Sequence, residues 1–402
     1  MAAFLPSLRG IDPAARNLII AFLLPSAGNG FTSVGFSLYL YSLGMGTTLI
    51  GALLSVTSLV SVALAVPLGM LADAHGKKRF VMLGLSLDTL GLAAVSFSAN
   101  FFVLMTAATF FGLAGAALFS PAQAMLADKC ATEAQRNSVF ALTAFGGGLA
   151  FASGSFVVGA VGVVRETLAL GEGASYRSLF LAFALLEVAA GMVVWRGVSE
   201  SKTGGSVRFR MPRKSWRVVK RFSILGLIGL GAGLIIPLFP LWFHLRFGLD
   251  TSVLGPLFGI AGIAMALSYL VSPAMAKGRG TVFAIVATQL SSVAVLLLIP
   301  LSPGYVFAGA AMVTRGILMN VAHPIQTSFQ MGLVDPEERA TATSIIGLFD
   351  AVPRAYGPTL GGYLFSLGFL DLPFFVTALL YTASAVLFYV FFRNEKAHRE
   401  AA

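Results

Sequence analysis

The chain has 402 residues, of which 57% are hydrophobic and 11% charged, with a formal net charge of +10. A mean hydropathy of +0.86 lies outside the range of water-soluble domains, and helical segments that are apolar all round exclude a soluble globular fold. The single cysteine, Cys130, excludes an intramolecular disulfide and a cysteine metal cluster.

The N-terminal stretch MAAFLPSLRGIDPAARN lacks the layout of a signal peptide, so the first apolar run is expected to stay in the mature chain. Polar punctuation then marks twelve apolar segments, at 17–42, 48–72, 80–98, 101–127, 138–164, 178–197, 219–245, 252–276, 281–300, 304–332, 340–367 and 373–392. Each approaches the ~20 residues that cross ~30 Å of hydrocarbon. The expectation is an all-α polytopic membrane protein.

Span 1 carries the neutral polar residues Asn29, Thr32 and Ser33. Span 2 stops at "GMLADAHGKKRF" (69–80), where Gly69, Asp73, Gly76, Lys77 and Lys78 interrupt an otherwise apolar text. Gly76 permits a turn there that a side chain would resist. Span 3 holds Asp88, span 4 Gln123 and span 6 Glu187. An ionisable group at membrane depth costs several kcal/mol unless paired or hydrated, so each marks a candidate site. No cation lies at similar depth in this half, and burial disfavours charge. Asp88 and Glu187 are therefore candidates for a coupling proton, or else simply bond a neighbouring helix.

The basic segment "RGVSESKTGGSVRFRMPRKSWRVVKR" (196–221) divides the chain into six spans and six: a bundle over 1–197, a linker over 198–218 and a bundle over 219–402. Span 7 carries Pro237, Pro240, Trp242 and His244 near its end, and the loop "SPAMAKGRG" after span 8 has cations but no acid. On span 10, Arg315, His323 and Gln326 share one face at 100° per residue, and His323 titrates near neutral pH. On span 11, Asp350, a third candidate for the coupling proton, is one turn from Arg354, with Arg315 at about the same depth as Arg354 at ~1.5 Å per residue. Two arginines against one aspartate suit a carboxylate or phosphate. The alternative is an internal Asp350–Arg354 pair bracing span 11, with Arg315 on backbone carbonyls.

With the N-terminus in the cytoplasm, all 27 lysines and arginines except Arg165, Arg177, Arg246, Arg315 and Arg354 fall in cytoplasmic tails and loops. The positive-inside bias thus places both ends in the cytoplasm of a cell membrane. The positive charge is topological and suits anionic lipid rather than nucleic acid. A single ungapped shift of 203 residues lays Pro121 and Gln123 on Pro324 and Gln326, Arg136 on Arg339, Gly28 and Gly30 on Gly231 and Gly233, and Gly154 and Gly159 on Gly357 and Gly362. Two parallel six-helix repeats follow.

Twelve spans, the 6+6 repeat, the basic linker and "GMLADAHGKKR" together resemble the major facilitator superfamily, whose signature in this loop reads G-x-L-a-D-r-x-G-r-k. Gly69, Leu71, Asp73, Gly76, Lys77 and Lys78 match it, and Ala74 stands where arginine is usual. The resemblance implies that Asp73 receives the free amide hydrogens at the start of span 11, near Ala340, as a latch of the outward-facing state. It also implies that spans 1, 4, 7 and 10 line a central cavity, so that Asn29, Gln123, Arg315, His323, Gln326, Asp350 and Arg354 face a substrate. The pattern G-P-x-x-G-G of the family's proton-driven drug exporters, usual on span 5, stands instead on span 11 as Gly357, Pro358, Gly361 and Gly362, where small residues allow close helix approach. Span 5 has "GSFVVG" with Ser155 in place of proline.

Three functions compete. Proton-coupled efflux of drug-like or hydrophobic compounds rests on the loop signature, the membrane carboxylates and family frequency. Transport or exchange of a small organic anion rests on Arg315 and Arg354. A polytopic enzyme or receptor is remote: there is no nucleophile motif, metal-ligand cluster or phosphate loop, so neither catalysis nor a cofactor is expected. The expected partners are a small-molecule substrate, protons and anionic lipid at the cytoplasmic face, with the protein acting as a monomer by alternating access.

Overall fold

A computed structural model describes residues 12–130, 132–200, 212–275 and 281–395. The linker residues 201–211 and the cations Lys277 and Arg279 lie outside the described residues. The helices are α1 (Pro13–Ser42), α2 (Thr47–His75), α3 (Lys77–Phe97), α4 (Phe101–Asp128), α5 (Glu133–Val157), the short α6 (Ala160–Thr167) and α7 (Glu172–Gly197). Then follow α8 (Trp216–Arg221), α9 (Leu225–Ile235), α10 (Phe239–Phe247), α11 (Thr251–Met275), α12 (Thr281–Leu301), α13 (Tyr305–Leu333), α14 (Arg339–Ser366) and α15 (Leu372–Phe392). Spans 1 to 6 are α1 to α5 and α7; α8 to α10 together make span 7; α11 to α15 are spans 8 to 12.

Among the described residues, 11 helical stretches are long and apolar enough to cross a membrane. The twelfth, α14, has the length at 28 residues but is diluted by Arg339, Asp350, Arg354 and several Thr and Ser residues. Two expected spans are interrupted. Span 5 ends at Val157 and resumes as α6 after Gly159. Span 7 passes through tighter turns at Phe222–Ile224 and Ile236–Leu238, the second where Pro237 and Pro240 withhold backbone donors.

The chain forms two compact units. Of the described residues, those within 1–45, 56–207 and 249–263 form one, and those within 46–55, 208–248 and 264–402 form the other. In the first, α1 packs on α5 and α7, and α3 on α4 and α7. In the second, α9 packs on α14 and α15, and α12 on α13 and α15. Translated into span numbers, the two pairing schemes are the same, which is the repeat expressed as packing. Aromatic rings fill both interiors: Phe31 meets Phe180 edge-on and stacks on Phe183, each at 4.9 Å, and Phe222 stacks on Phe392 at 4.6 Å. Such pairs contribute about 0.5–1.5 kcal/mol beyond burial.

The repeated glycines sit where helices cross. A Cβ on Gly30 would strike the Phe151 carbonyl, and one on Gly154 the Ala27 carbonyl, so α1 and α5 touch backbone to backbone. Their counterparts do the same: Gly233 lies on Arg354 and Gly357 on Gly233, joining α9 to α14. Where apolar lipid offers helices little drive to associate, such contact maximises dispersion. Residues 46–55, the first turns of α2, belong to the second unit: Gly51 lies against Pro358, and Thr47 Oγ1 donates to the Gly362 carbonyl at 2.8 Å. Residues 249–263, the first turns of α11, belong likewise to the first unit, with Gly255 against Gly159.

Candidate transport site

The membrane-depth polar residues resolve into three groups. On α14, the Asp350 carboxylate accepts from Arg354 Nε at 3.0 Å and from Nη2 at 3.0 and 2.9 Å. Both side chains stay partly open, Arg354 at 41% and Asp350 at 30% exposure, so the pair is neutralised internally while still reachable. An i, i+4 helix places the two heads together without help from another element.

Arg315 goes elsewhere. Its Nη2 donates to the Tyr381 hydroxyl on α15 at 2.7 Å, and its guanidinium carbon lies 5.5 Å from the centre of the Tyr381 ring. The residue is 5% exposed, and its Nε finds no partner. Gln326, on nearly the same face of α13, accepts from Gln289 Nε2 of α12 at 3.3 Å. These two expected cavity residues therefore bond helices of their own unit, whereas His323 and, on α1, Asn29 are exposed and Gln123 is half-buried. Equal depth along the chain did not bring Arg315 to Asp350: among the described residues, the arginine that bonds Asp350 is Arg354.

The third group is the α3–α7 interface. Asp88 lies on the face of α3 that buries Gly84, Leu85, Gly91 and Leu92, and Glu187 on the face of α7 that buries Phe183, Ala184 and Ala190. The two carboxyls come within hydrogen-bonding reach of each other.

The loop signature is built from its own unit. Gly76 adopts φ +109, a conformation L side chains rarely take, and turns the chain directly into α3. Glu200 Oε1 accepts from the Lys78 backbone N–H at 3.0 Å, a carboxylate at the positive end of α3. Lys77 pairs with Asp128 at 2.8 Å, and Lys78 Nζ donates to the Trp195 carbonyl at 2.9 Å. Asp73 is half-buried, and Gly69 has open space where a Cβ would stand. Of the drug-exporter pattern, Gly357 and Gly361 pack on Gly233 and Leu234, and Gly362 on Thr47.

In the second unit, Glu338 accepts from the backbone N–H of Lys214 at 3.1 Å and of Ser215 at 2.8 Å. Desolvation works against ionisation there, yet these bonds hold the carboxyl below the usual carboxylate range. A hydrogen bond from Lys214 to Glu337, with the charge of Asp335, holds the Lys214 ammonium above its usual value. Glu200, Asp128, Tyr381, Gln289 and Glu338 were missed by sequence reasoning. Only Asp128 carries a visible signal, since Met125-Leu126-Ala127-Asp128 repeats Met70-Leu71-Ala72-Asp73.

Two helical units with one pairing scheme, 11 helical stretches among the described residues long and apolar enough to span a bilayer and a few charges at mid-helix define a multi-pass membrane protein of the transporter kind. The Major Facilitator Superfamily model matches residues 18–358, and the chain belongs to that family. It is similar to the uncharacterized membrane protein YJR124C of Saccharomyces cerevisiae, 22% identical with 89% of each chain covered. Among solved structures it is similar to a bacterial homolog of the human lysosomal transporter Spinster, with a TM-score of 0.76, 15% identity and coverage of 96% of this chain and 98% of that one. A POT family transporter in complex with 5-aminolevulinic acid has a TM-score of 0.73 at 13% identity, covering 96% of each. At these identities the likeness is one of fold.

Proposed function

We propose that this protein is a secondary transporter that exports drug-like or hydrophobic compounds across the cytoplasmic membrane in exchange for protons. The observation that carries the choice over organic-anion transport is the bidentate Asp350–Arg354 pair. It neutralises the one arginine of the two that stays accessible, while Arg315 is buried against Tyr381. An anionic substrate would have to displace an internal carboxylate, whereas a lipophilic cation or neutral compound needs no such exchange.

In this reading both termini face the cytoplasm, the protein acts as a monomer, and anionic lipid contacts the basic loops. In the first unit Asn29 and Gln123, and in the second His323 and the Asp350–Arg354 pair, are the substrate contacts of this reading, and each repeat takes part in alternating access. Asp73 serves as the latch residue of the outward-facing state, and Gly76, Lys77 and Lys78 hold the loop that presents it.

A thermal-shift screen of purified protein against lipophilic cations and small organic anions tests the substrate class, because a ligand bound to the folded state raises the melting temperature. Stabilisation by lipophilic cations, retained in Arg354→Gln, supports the proposal. Stabilisation by organic anions that disappears in Arg354→Gln would replace it with anion transport.

A further inference from the structure

The α3–α7 interface poses a problem of chemistry. Glu187 is 1% exposed, and neither of its carboxyl oxygens has a hydrogen-bond donor among the described residues. The group within its reach is the Asp88 carboxyl. Two carboxylates are acceptors only and cannot bond each other. With a proton between them, one becomes a donor, the contact becomes a strong O–H···O⁻ bond, and the pair carries a single negative charge.

Among the described residues, the surroundings supply no other neutralising group. The titratable and charged residues on the helices packed around the pair are Arg16, Tyr39 and Tyr41 on α1, Lys77, Lys78 and Arg79 on α3, Asp128 on α4, and Glu172, Tyr176, Arg177 and Arg196 on α7. Each stands nine or more residues along its helix from the level of the pair, about 13 Å or further. Arg165 and Glu166 sit on α6, which leads into the start of α7. Two ionised carboxylates in this setting would cost many kcal/mol.

We infer that Asp88, half-buried on α3, and Glu187, buried on α7, form one proton-binding site, a carboxylic acid–carboxylate pair that takes up and releases a proton as a unit. Loss of the proton leaves two like charges in contact, which forces the interface apart or admits water. The site also touches α1. A Cβ on Gly28 would stand 3.3 Å from Glu187 Oε1, and the next residue, Asn29, is exposed on the proposed substrate face. Protonation is thereby linked to the seating of α1, and this link to transport rests on the proton-coupled reading above; the site itself does not.

The test is infrared difference spectroscopy of the full chain in lipid, titrated with pH in H2O and D2O. In the wild type, a carboxylic C=O band that moves on deuteration is expected. Asp88→Asn and Glu187→Gln, both near-isosteric, should each shift that band to the position of an unshared carboxyl or remove it. Gly28→Ala, which crowds Glu187 without altering either carboxyl, should shift it as well. A band indifferent to both carboxyl substitutions, the lack of any carboxylic band at every pH, or a band set by sodium rather than by proton concentration would overturn the inference. Failure of proton coupling would show separately, as substrate flux that leaves the lumenal pH unchanged while the band still responds to both substitutions.

Discussion

Arg315 and Tyr381 are joined twice, by a 2.7 Å hydrogen bond from guanidinium to hydroxyl and by the guanidinium lying over the ring. A buried cation with no carboxylate partner among the described residues is held by an acceptor and a π-face together. Tyr381→Phe removes the first and keeps the second, and a hydrogen bond to a charged group contributes about 1.5–3 kcal/mol. Its melting temperature should fall, and that of Tyr381→Leu should fall further. Lipophilic-cation export per folded molecule should survive Tyr381→Phe, because in the proposed reading the Arg315–Tyr381 contact braces the second unit.

Asp350 and Arg354 should behave as one unit. Arg354→Gln strands a carboxylate and Asp350→Asn strands a guanidinium, each in a partly dry setting. The double variant should be more stable than the sum of the two single losses predicts, with a coupling of about 0.5–3 kcal/mol. Additive losses in a double-mutant cycle on detergent-solubilised protein would mean that the pair is not formed in the membrane.

Glycines in this chain should divide sharply by position. Gly30→Ala and Gly233→Ala drive a methyl group into the Phe151 and Arg354 carbonyls, and should cost about 1–3 kcal/mol or more by overpacking. Gly69→Ala meets open space, and its thermal stability should stay within about 0.5 kcal/mol of the parent.

Glu338 ties α14 to the segment that leads into span 7, and its ionisation is favoured in the folded state. A depressed carboxyl contributes stability above its ordinary pKa and loses it as pH falls through the lower, folded value. Acidification below the carboxylate range should therefore release residues 214–215 from Glu338, read as faster proteolysis of the linker. Glu338→Gln should show that faster cleavage already at neutral pH, and with a flatter pH profile.

Asp73→Asn should slow transport and leave substrate affinity nearly unchanged, measured by flux and by thermal shift on the same preparation. Equal loss of both would remove the latch role proposed for Asp73.

Much of this architecture was legible in sequence because the bilayer imposes a coarse, strong rule: apolar runs of one length, punctuated by charge. The shift of 203 residues found the crossing glycines, since close helix approach admits only one residue type at Gly30 and Gly154 and again at Gly233 and Gly357. Asp350 and Arg354 were readable because i, i+4 geometry is local. Arg315 was not, because its partner depends on which way a side chain turns about its helix, and a tyrosine 66 residues away leaves no mark in composition. Asp88 and Glu187 each stood out as unpaired, but that each is the other's neighbour needed the packing of α3 on α7.

The most direct measurement is export by the purified protein in proteoliposomes loaded with a fluorescent lipophilic cation and a lumenal pH probe, with an imposed proton gradient. Exchange predicts that an inward-directed gradient accelerates dye release, that release acidifies the lumen, and that collapsing the gradient with a protonophore stops uphill movement. Dye release that is indifferent to the gradient, with no change in lumenal pH, would contradict proton-coupled export.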